Sequence, residues 1–300
     1  MRNIFINLSV KNQILFILIN HDYYYIKLII MLKEPFIVKF IKTFFCRRFL
    51  FARLSRIWPI GSVLNKLYFE GDEIYYLPKE STIELDVGIE SPGSVVLPSD
   101  MLERLIDDAG DHFLMNYCIC RTSNKCKDYP RELGCLFLGG ATRTIDRRFG
   151  RPVSKEEAKE HLRKCREAGL VHLIGRNKLD SSWLSARPGE RLLTICNCCP
   201  CCCLWMMLPN LRNDLSEKVQ KMPGVEVLVN GDCSGCGECV ASCFVKAIDI
   251  LDGRARIGDG CRGCGRCADT CPEGAIEVAL DGRYDPAGLE SRIRDIVDIR

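Results

Sequence analysis

The sequence has few of the features by which most enzymes are recognised. Histidine is scarce, with four residues in 300, and His21, His112, His161 and His172 show no pairing in sequence that would make a metal or catalytic site. A GxSxG elbow, a GxxxxGK[ST] loop and an HExxH helix are all missing, which removes the usual hydrolase, P-loop and zinc-peptidase readings. Gly139-Gly140 is too short for a dinucleotide fingerprint and reads as a turn, so flavin or nicotinamide binding is not expected. No charge sign dominates: 42 Lys and Arg stand against 39 Asp and Glu, a net charge of +3, which falls short of the basic footprint of a nucleic-acid binder. Long apolar runs are also lacking. The longest near the N-terminus, Ile14 to Ile19, is far below the roughly 20 residues of a membrane helix. Lys11, Asn12 and Gln13 interrupt that region and no small-residue cleavage site follows, so no signal peptide is expected and the chain reads as cytoplasmic.

What remains is ordinary globular composition, 47% hydrophobic and 27% charged, with one anomaly. There are 20 cysteines: Cys46 alone, five from Cys118 to Cys165 and fourteen from Cys196 to Cys271. Disulfide frameworks belong to exported domains, whereas such density inside a cell points to metals or clusters.

Residues 1–30 are rich in Asn, Ile, Tyr and Lys and read as a doubtful extension, with Met31 as the expected start. From Met31 to Trp58 seven Lys or Arg face one acid, Glu34, and Phe36, Phe40, Phe44 and Phe45 recur at helical spacing after Pro35. This predicts a basic amphipathic helix that either touches a membrane surface or covers another part of the chain or a partner. Ile83, Leu85, Val87 and Ile89 alternate like a half-buried strand before a Pro92-Gly93 turn. Asp100 and Glu103 then open a short helix with Leu102, Leu105, Ile106 and Ala109 on one face. Further on, Ser154 and Glu157 form a capping box for a helix carrying Ala158, Leu162 and Cys165, Val171 to Ile174 form a strand, and Asp285-Pro286 starts a final helix. Arg143, Arg147, Arg148 and Arg151 precede the middle helix. They would suit a winged-helix DNA reader, but no second helix in a helix-turn-helix arrangement follows, and a solvated arginine face is expected.

The strongest signal is Cys233-x2-Cys236-x2-Cys239-x3-Cys243, repeated as Cys261-x2-Cys264-x2-Cys267-x3-Cys271-Pro272 at a period of 28. The two runs match in four cysteines, two glycines and an Ala-Ile pair, an internal duplication. Cysteines three apart around a tight loop can place thiolates on different irons of one cubane, and Gly235, Gly237, Gly263 and Gly265 let the backbone curl around it. Paired zinc knuckles are the alternative for C-x2-C pairs.

Over roughly residues 226–281 these runs resemble the bacterial two-cluster 4Fe-4S ferredoxins. The resemblance implies two 4Fe-4S clusters, one held by Cys233, Cys236, Cys239 and Cys271, the other by Cys261, Cys264, Cys267 and Cys243, because in that family the fourth cysteine of each run crosses over. Phe244 departs from the family pattern, which has proline there. The region's few apolar residues, among them Val240, Val245, Ile248, Ile276 and Val278, predict a small core that depends on its cofactors.

Ten further thiols lie outside any ferredoxin spacing: Cys118-x-Cys120-x5-Cys126-x8-Cys135 and Cys196-x-Cys198-Cys199-x-Cys201-Cys202-Cys203. The phrases NYCICR, YPRELGCLFLG and ICNCCPCCC resemble those of a group of iron-sulfur proteins of anaerobes that carry a C-terminal two-cluster ferredoxin domain. Each C-x-C pair follows an apolar approach, so two loops are expected to converge with Cys118, Cys120, Cys196 and Cys198 as leading ligands. Cys126, Cys135 and Cys199 are competitors. A third iron-sulfur cluster, zinc, and redox-active or disulfide-forming thiols all fit the pattern.

The expected fold class is α+β: the doubtful extension 1–30, a basic helix and α/β segment over 31–110, a cysteine-rich middle domain over 111–225, a C-terminal ferredoxin-like two-cluster domain over 226–281, and a C-terminal helix over 282–300. The expected function is electron transfer, as a carrier or a subunit of a redox complex with a redox-protein donor and acceptor. A reductase or activating enzyme at the middle thiols is the alternative, and a redox-sensing DNA-binding regulator a more distant one.

Overall fold

A computed structural model of the chain describes residues 4–10, 13–20, 25–31, 41–43, 45–84 and 96–300. His21, Phe36, Phe40 and Phe44, and the expected strand from Leu85 to Ile89 with its Pro92-Gly93 turn, lie outside the described residues. The chain mixes helices and strands, as an α+β class requires. Strands Ile4–Val10, Gln13–Asn20 and Tyr25–Met31 form an antiparallel meander, with Ile4 opposite Ile19 and Ile14 opposite Met31.

A seven-stranded mixed sheet organises the rest, in the order Val219–Lys221, Glu73–Tyr76, Val171–Arg176, Leu193–Cys198, Leu136–Leu138, His112–Met115 and Gly150–Pro152. Only the first pair is parallel. A three-stranded sheet pairs Val225–Val229 antiparallel with Ile276–Leu280 and sets Ile83 against Val278 in parallel. Beside it, Ile248–Leu251 and Arg254–Ile257 make a hairpin closed by Asp252 and Gly253, at φ 52° and 74°, the conformation of a type I′ turn.

The helices follow local chemistry. Ser154 Oγ accepts from Glu157 N at 3.2 Å and Glu157 Oε2 accepts from Ser154 N at 3.1 Å, which starts the helix Lys155–Glu167. The next helix runs Pro98–Asp108, two residues earlier than its acids suggest, because proline suits a first turn. It buries Leu102, Leu105 and Ile106 completely. Asp285 accepts from Gly288 N at 2.8 Å and caps Pro286–Ile296, whose Leu289 and Ile293 are buried.

The apolar core is larger than residues 226–281 alone suggest. Val225, Val278 and Leu280 share one buried cluster with Leu102, Leu105, Ile174 and Leu193. Phe244, the departure from the ferredoxin pattern, is buried against Tyr76 with ring centroids 5.0 Å apart. Its ring joins the turn after Cys243 to the strand Glu73–Tyr76 of the large sheet, an aromatic contact that proline could not supply.

Candidate metal centres

The duplication in sequence is a duplication in geometry. Gly235, Gly237, Gly263 and Gly265 all have positive φ, from 63° to 82°. At Gly235 a Cβ would fall 2.3 Å from Gly253 O, and at Gly265 it would fall 2.3 Å from Thr82 Oγ1. The curl therefore has no room for a side chain at either position. Short helices Glu238–Ser242 and Arg266–Asp269 follow the two loops. Lys246 at φ 54° occupies the place that Gly274 takes at φ 60° in the second copy.

Main-chain amides point at the sulfurs in both copies. Ala247 N donates to Cys243 Sγ at 3.3 Å and Ala275 N to Cys271 Sγ at 3.2 Å. Ala255 N reaches Cys233 Sγ and Gly263 N reaches Cys261 Sγ, each at 3.4 Å. Amides from Ala255 and Gly235 hold the Cys233 thiol below its ordinary pKa. Such donors favour thiolate and stabilise a cluster's sulfurs.

Cys233, Cys236, Cys239 and Cys271 line one cavity, with Ile250, Ala255 and Ile276 as apolar walls. Cys271 thus stands with the first run, away from its neighbours in sequence. The second grouping emerges from electrostatics: burial raises the Cys267 thiol to about 12, and Cys264, Cys261 and Cys243 add to it. Each group offers cysteine sulfurs with main-chain amide donors beside them, a donor set of the kind that binds metal through thiolates.

The ten middle thiols divide in two. Along Leu193–Cys198 side chains alternate, so Cys196 and Cys198 share a face while Asn197 points away, donating to Gly134 O at 2.7 Å. Cys135 Sγ lies 3.6 Å from Cys196 Sγ, and Cys203 Sγ lies 3.2 Å from Cys198 Sγ. Cys118 and Cys120 face each other, and the Cys120 hydrogen bond pulls the Cys118 thiol down to about 7 despite its burial. Hydrogen bonds from Cys196 and Cys203 hold Cys198 well below its ordinary value. Cys118, Cys120, Cys196 and Cys198 therefore gather as a set that also takes in Cys135 and Cys203. The second set is Cys126, Cys199, Cys201 and Cys202, whose sulfurs all lie within 4.8 Å of one another and could hold a metal ion. No sequence spacing marks it, although strand parity separates Cys199 from Cys198.

Arg121 sits between the two sets, wholly buried. Its Nη1 donates to Asn197 O at 2.7 Å, its Nη2 to Leu133 O, and its Nε has no partner. Burial opposes its charge, but Cys118, Cys199, Cys198 and Cys135 outweigh burial and hold the guanidinium protonated. A buried cation needs compensating charge, and Cys118 and Cys198, the two neighbours held below the ordinary thiol value, are the groups suited to supply it. Tyr76 is buried within reach of Cys203 and Cys198 and of Cys264; burial and then those thiols push its phenol up.

Above the six-thiol set, a cavity of about 430 Å³ is walled by Met115, Phe137, Trp183 and Trp205, with Cys120, Cys135, Cys196, Cys198 and Cys203 at its lining. Asp180 also lines it, pushed up to about 6 by burial while Trp183 Nε1 donates to it at 3.0 Å.

The other residues singled out in sequence have structural partners. His112, His161 and His172 are buried and bond Ile106 O at 2.7 Å, Gly134 O at 2.9 Å and Asn197 Oδ1 at 2.7 Å. Arg143, Arg148 and Arg151 pair with Asp111, Asp146 and Glu157 at 2.8, 2.5 and 2.9 Å. Cys165 is buried and Cys46 exposed. Among the described residues no helix is long and apolar enough to cross a membrane. No protein-family model, curated protein or solved structure matches the chain.

Proposed function

We propose that residues 226–281 carry two 4Fe-4S clusters and that the protein transfers electrons, as a carrier or as a subunit of a redox complex with a redox-protein donor and acceptor. The observation that carries this reading is Cys271 lining one cavity with Cys233, Cys236 and Cys239, which is the arrangement that the crossed ligation of the two-cluster ferredoxins would require. Zinc knuckles fit less well. A tetrahedral zinc draws its thiolates into mutual contact, and among the described residues only the group of Cys126, Cys199, Cys201 and Cys202 brings three or more ligand atoms within 4.8 Å of one another. Cys118, Cys120, Cys196 and Cys198, with Cys135 and Cys203 beside them, are proposed as the ligand pool of a third cluster. When bound, the clusters supply reversible one-electron storage; the chain's residues set their thiolate state, amide donors and neighbouring charge.

Iron and acid-labile sulfide counts, with spectroscopy that distinguishes the two clusters, on the full chain and on Cys271→Ala, both purified without oxygen, test the proposal. The variant should lose the cluster of Cys233, Cys236 and Cys239. Damage confined to the cluster of Cys261, Cys264 and Cys267 would refute the crossed ligation.

The cavity over the six thiols favours a second reading, in which the chain reduces or reductively activates a substrate there. Substrate-dependent oxidation of the reduced protein would separate it from simple relay. Peripheral membrane contact through residues 31–58 also belongs to the proposal. Leu50, Phe51, Ile57 and Trp58 are exposed, Trp58 by 79%, beside Arg47, Arg53 and Arg56.

A further inference from the structure

We propose that Cys126, Cys199, Cys201 and Cys202 bind one zinc ion as a tetrahedral four-thiolate site, separate from every cluster. The inference stands on sulfur geometry and does not depend on the electron-transfer reading. Cys201 Sγ lies 3.6 Å from Cys126 Sγ, 3.7 Å from Cys199 Sγ and 3.6 Å from Cys202 Sγ, and all four sulfurs are within 4.8 Å of one another. A tetrahedron with Zn–S bonds of about 2.3 Å has edges of about 3.8 Å. Disulfides would require about 2.05 Å between paired sulfurs. A cubane would spread the thiolates, because each binds its own iron with the cluster body between them. The observed spacing suits one ion at the centre.

The surroundings suit a closed structural site. Cys126, Cys199 and Cys202 are buried and only Cys201 reaches solvent. The main-chain amides of Tyr129 and Asp128 near Cys126, and that of Cys202 near Cys199, favour the thiolate forms of those ligands. Arg131 Nε holds the Cys126 carbonyl at 2.7 Å. These contacts orient ligands from outside the ion's own shell. Four thiolates around a divalent ion leave net negative charge, and buried Arg121 lies within electrostatic reach of Cys199.

The ion would work as a clamp. It joins residue 126 to a loop 75 residues later, so closing that loop in the folded state removes a large conformational freedom. Asn124 Nδ2 donates to Cys120 O at 2.9 Å and Cys202 O at 3.3 Å, which ties the clamp to the neighbouring thiol set. Zinc adds no redox chemistry, so it can hold the cluster-facing thiols without competing for electrons.

Zinc and iron counted on the full chain purified without oxygen, as wild type and as Cys126→Ser/Cys202→Ser, provide the test. The wild type should hold one zinc, and the variant should lose it while keeping the iron assigned to residues 226–281. Because the variant could fail to fold, wild-type protein with cobalt in place of zinc gives a second readout: tetrahedral thiolate-cobalt absorption is expected. Zinc absent from the wild type, zinc unchanged in the variant, mononuclear iron at this site, or cobalt spectra without thiolate charge transfer would each overturn the assignment. Loss of sulfide and iron with zinc retained would instead refute the cluster reading alone.

Discussion

Arg266 Nη2 donates to the main-chain oxygen of Cys198 at 3.0 Å. The residue before Cys267 in the second run thereby touches the strand that carries the middle thiols. Arg266 is buried and its ring-face neighbour is Tyr129, 5.9 Å away. A buried positive charge placed between two thiolate groups favours their more reduced, more negative states.

Replacing Arg266 by glutamine should therefore lower the potential of the cluster assigned to Cys261, Cys264, Cys267 and Cys243. A unit charge at roughly 10 Å and an effective dielectric of about 20 is worth on the order of 1–2 kcal/mol, a shift of tens of millivolts. Protein-film voltammetry reads it; an unchanged potential would show that the arginine serves packing alone.

Serine at Cys118 and Cys196 together should remove about four irons while leaving the spectrum of the two-cluster region in place, since serine oxygen is a poor ligand for a soft site. An unchanged iron count in that double variant would exclude a third cluster at the six-thiol set.

Phe244→Ala removes the ring packed at a tilt against Tyr76. A buried aromatic truncated to alanine costs about 3–5 kcal/mol. Denaturant unfolding under anaerobic conditions should show that loss, and the cluster of Cys261 should bleach first because the turn after its crossing ligand, Cys243, is no longer anchored.

Asp72 gives the clearest pH signature away from the thiols. Burial pushes its carboxyl up to about 7, although Lys178 N donates to it at 2.7 Å. The unfolded chain releases this proton near the ordinary carboxyl value of about 3.9, so between that pH and about 7 the folded state binds more protons. Stability associated with Asp72 is full below the lower value and is lost as pH rises through the upper one, by about 4 kcal/mol at about 1.36 kcal/mol per pKa unit. Asp72→Asn should flatten the fall in thermal midpoint over that window; an identical slope would contradict the assignment.

Vesicles test the exposed apolar face. Phe51→Ser/Trp58→Ser should reduce co-sedimentation with phosphatidylserine vesicles at least about tenfold, given about 1.5–3 kcal/mol per large apolar side chain. Equal sedimentation of wild type and variant would assign that face to another contact.

Sequence was most informative where structure is local. The Ser154 and Glu157 capping box, the Asp285 cap and the apolar faces of the three longest helices are set by residues within one or two turns. Glycine positions in both cysteine runs were legible because the curl leaves no room for a Cβ at Gly235 or Gly265. Lys246 at positive φ carried no such mark. The sheet order was hidden, since pairing Glu73–Tyr76 with both Val171–Arg176 and Val219–Lys221 depends on contacts far apart in sequence. The same reason conceals the division of the middle thiols. Nothing in the spacing says that Cys201 and Cys202 converge on Cys126, while Cys203 turns back to Cys198.

The central claim, two clusters held by the eight cysteines of residues 226–281, is tested most directly by iron and acid-labile sulfide per chain in the Cys118→Ser/Cys196→Ser protein purified without oxygen. The account predicts about eight irons and about eight sulfides, with the magnetic interaction of two neighbouring reduced 4Fe-4S clusters in the electron paramagnetic resonance spectrum. Zinc in place of iron, with no sulfide released, would contradict it.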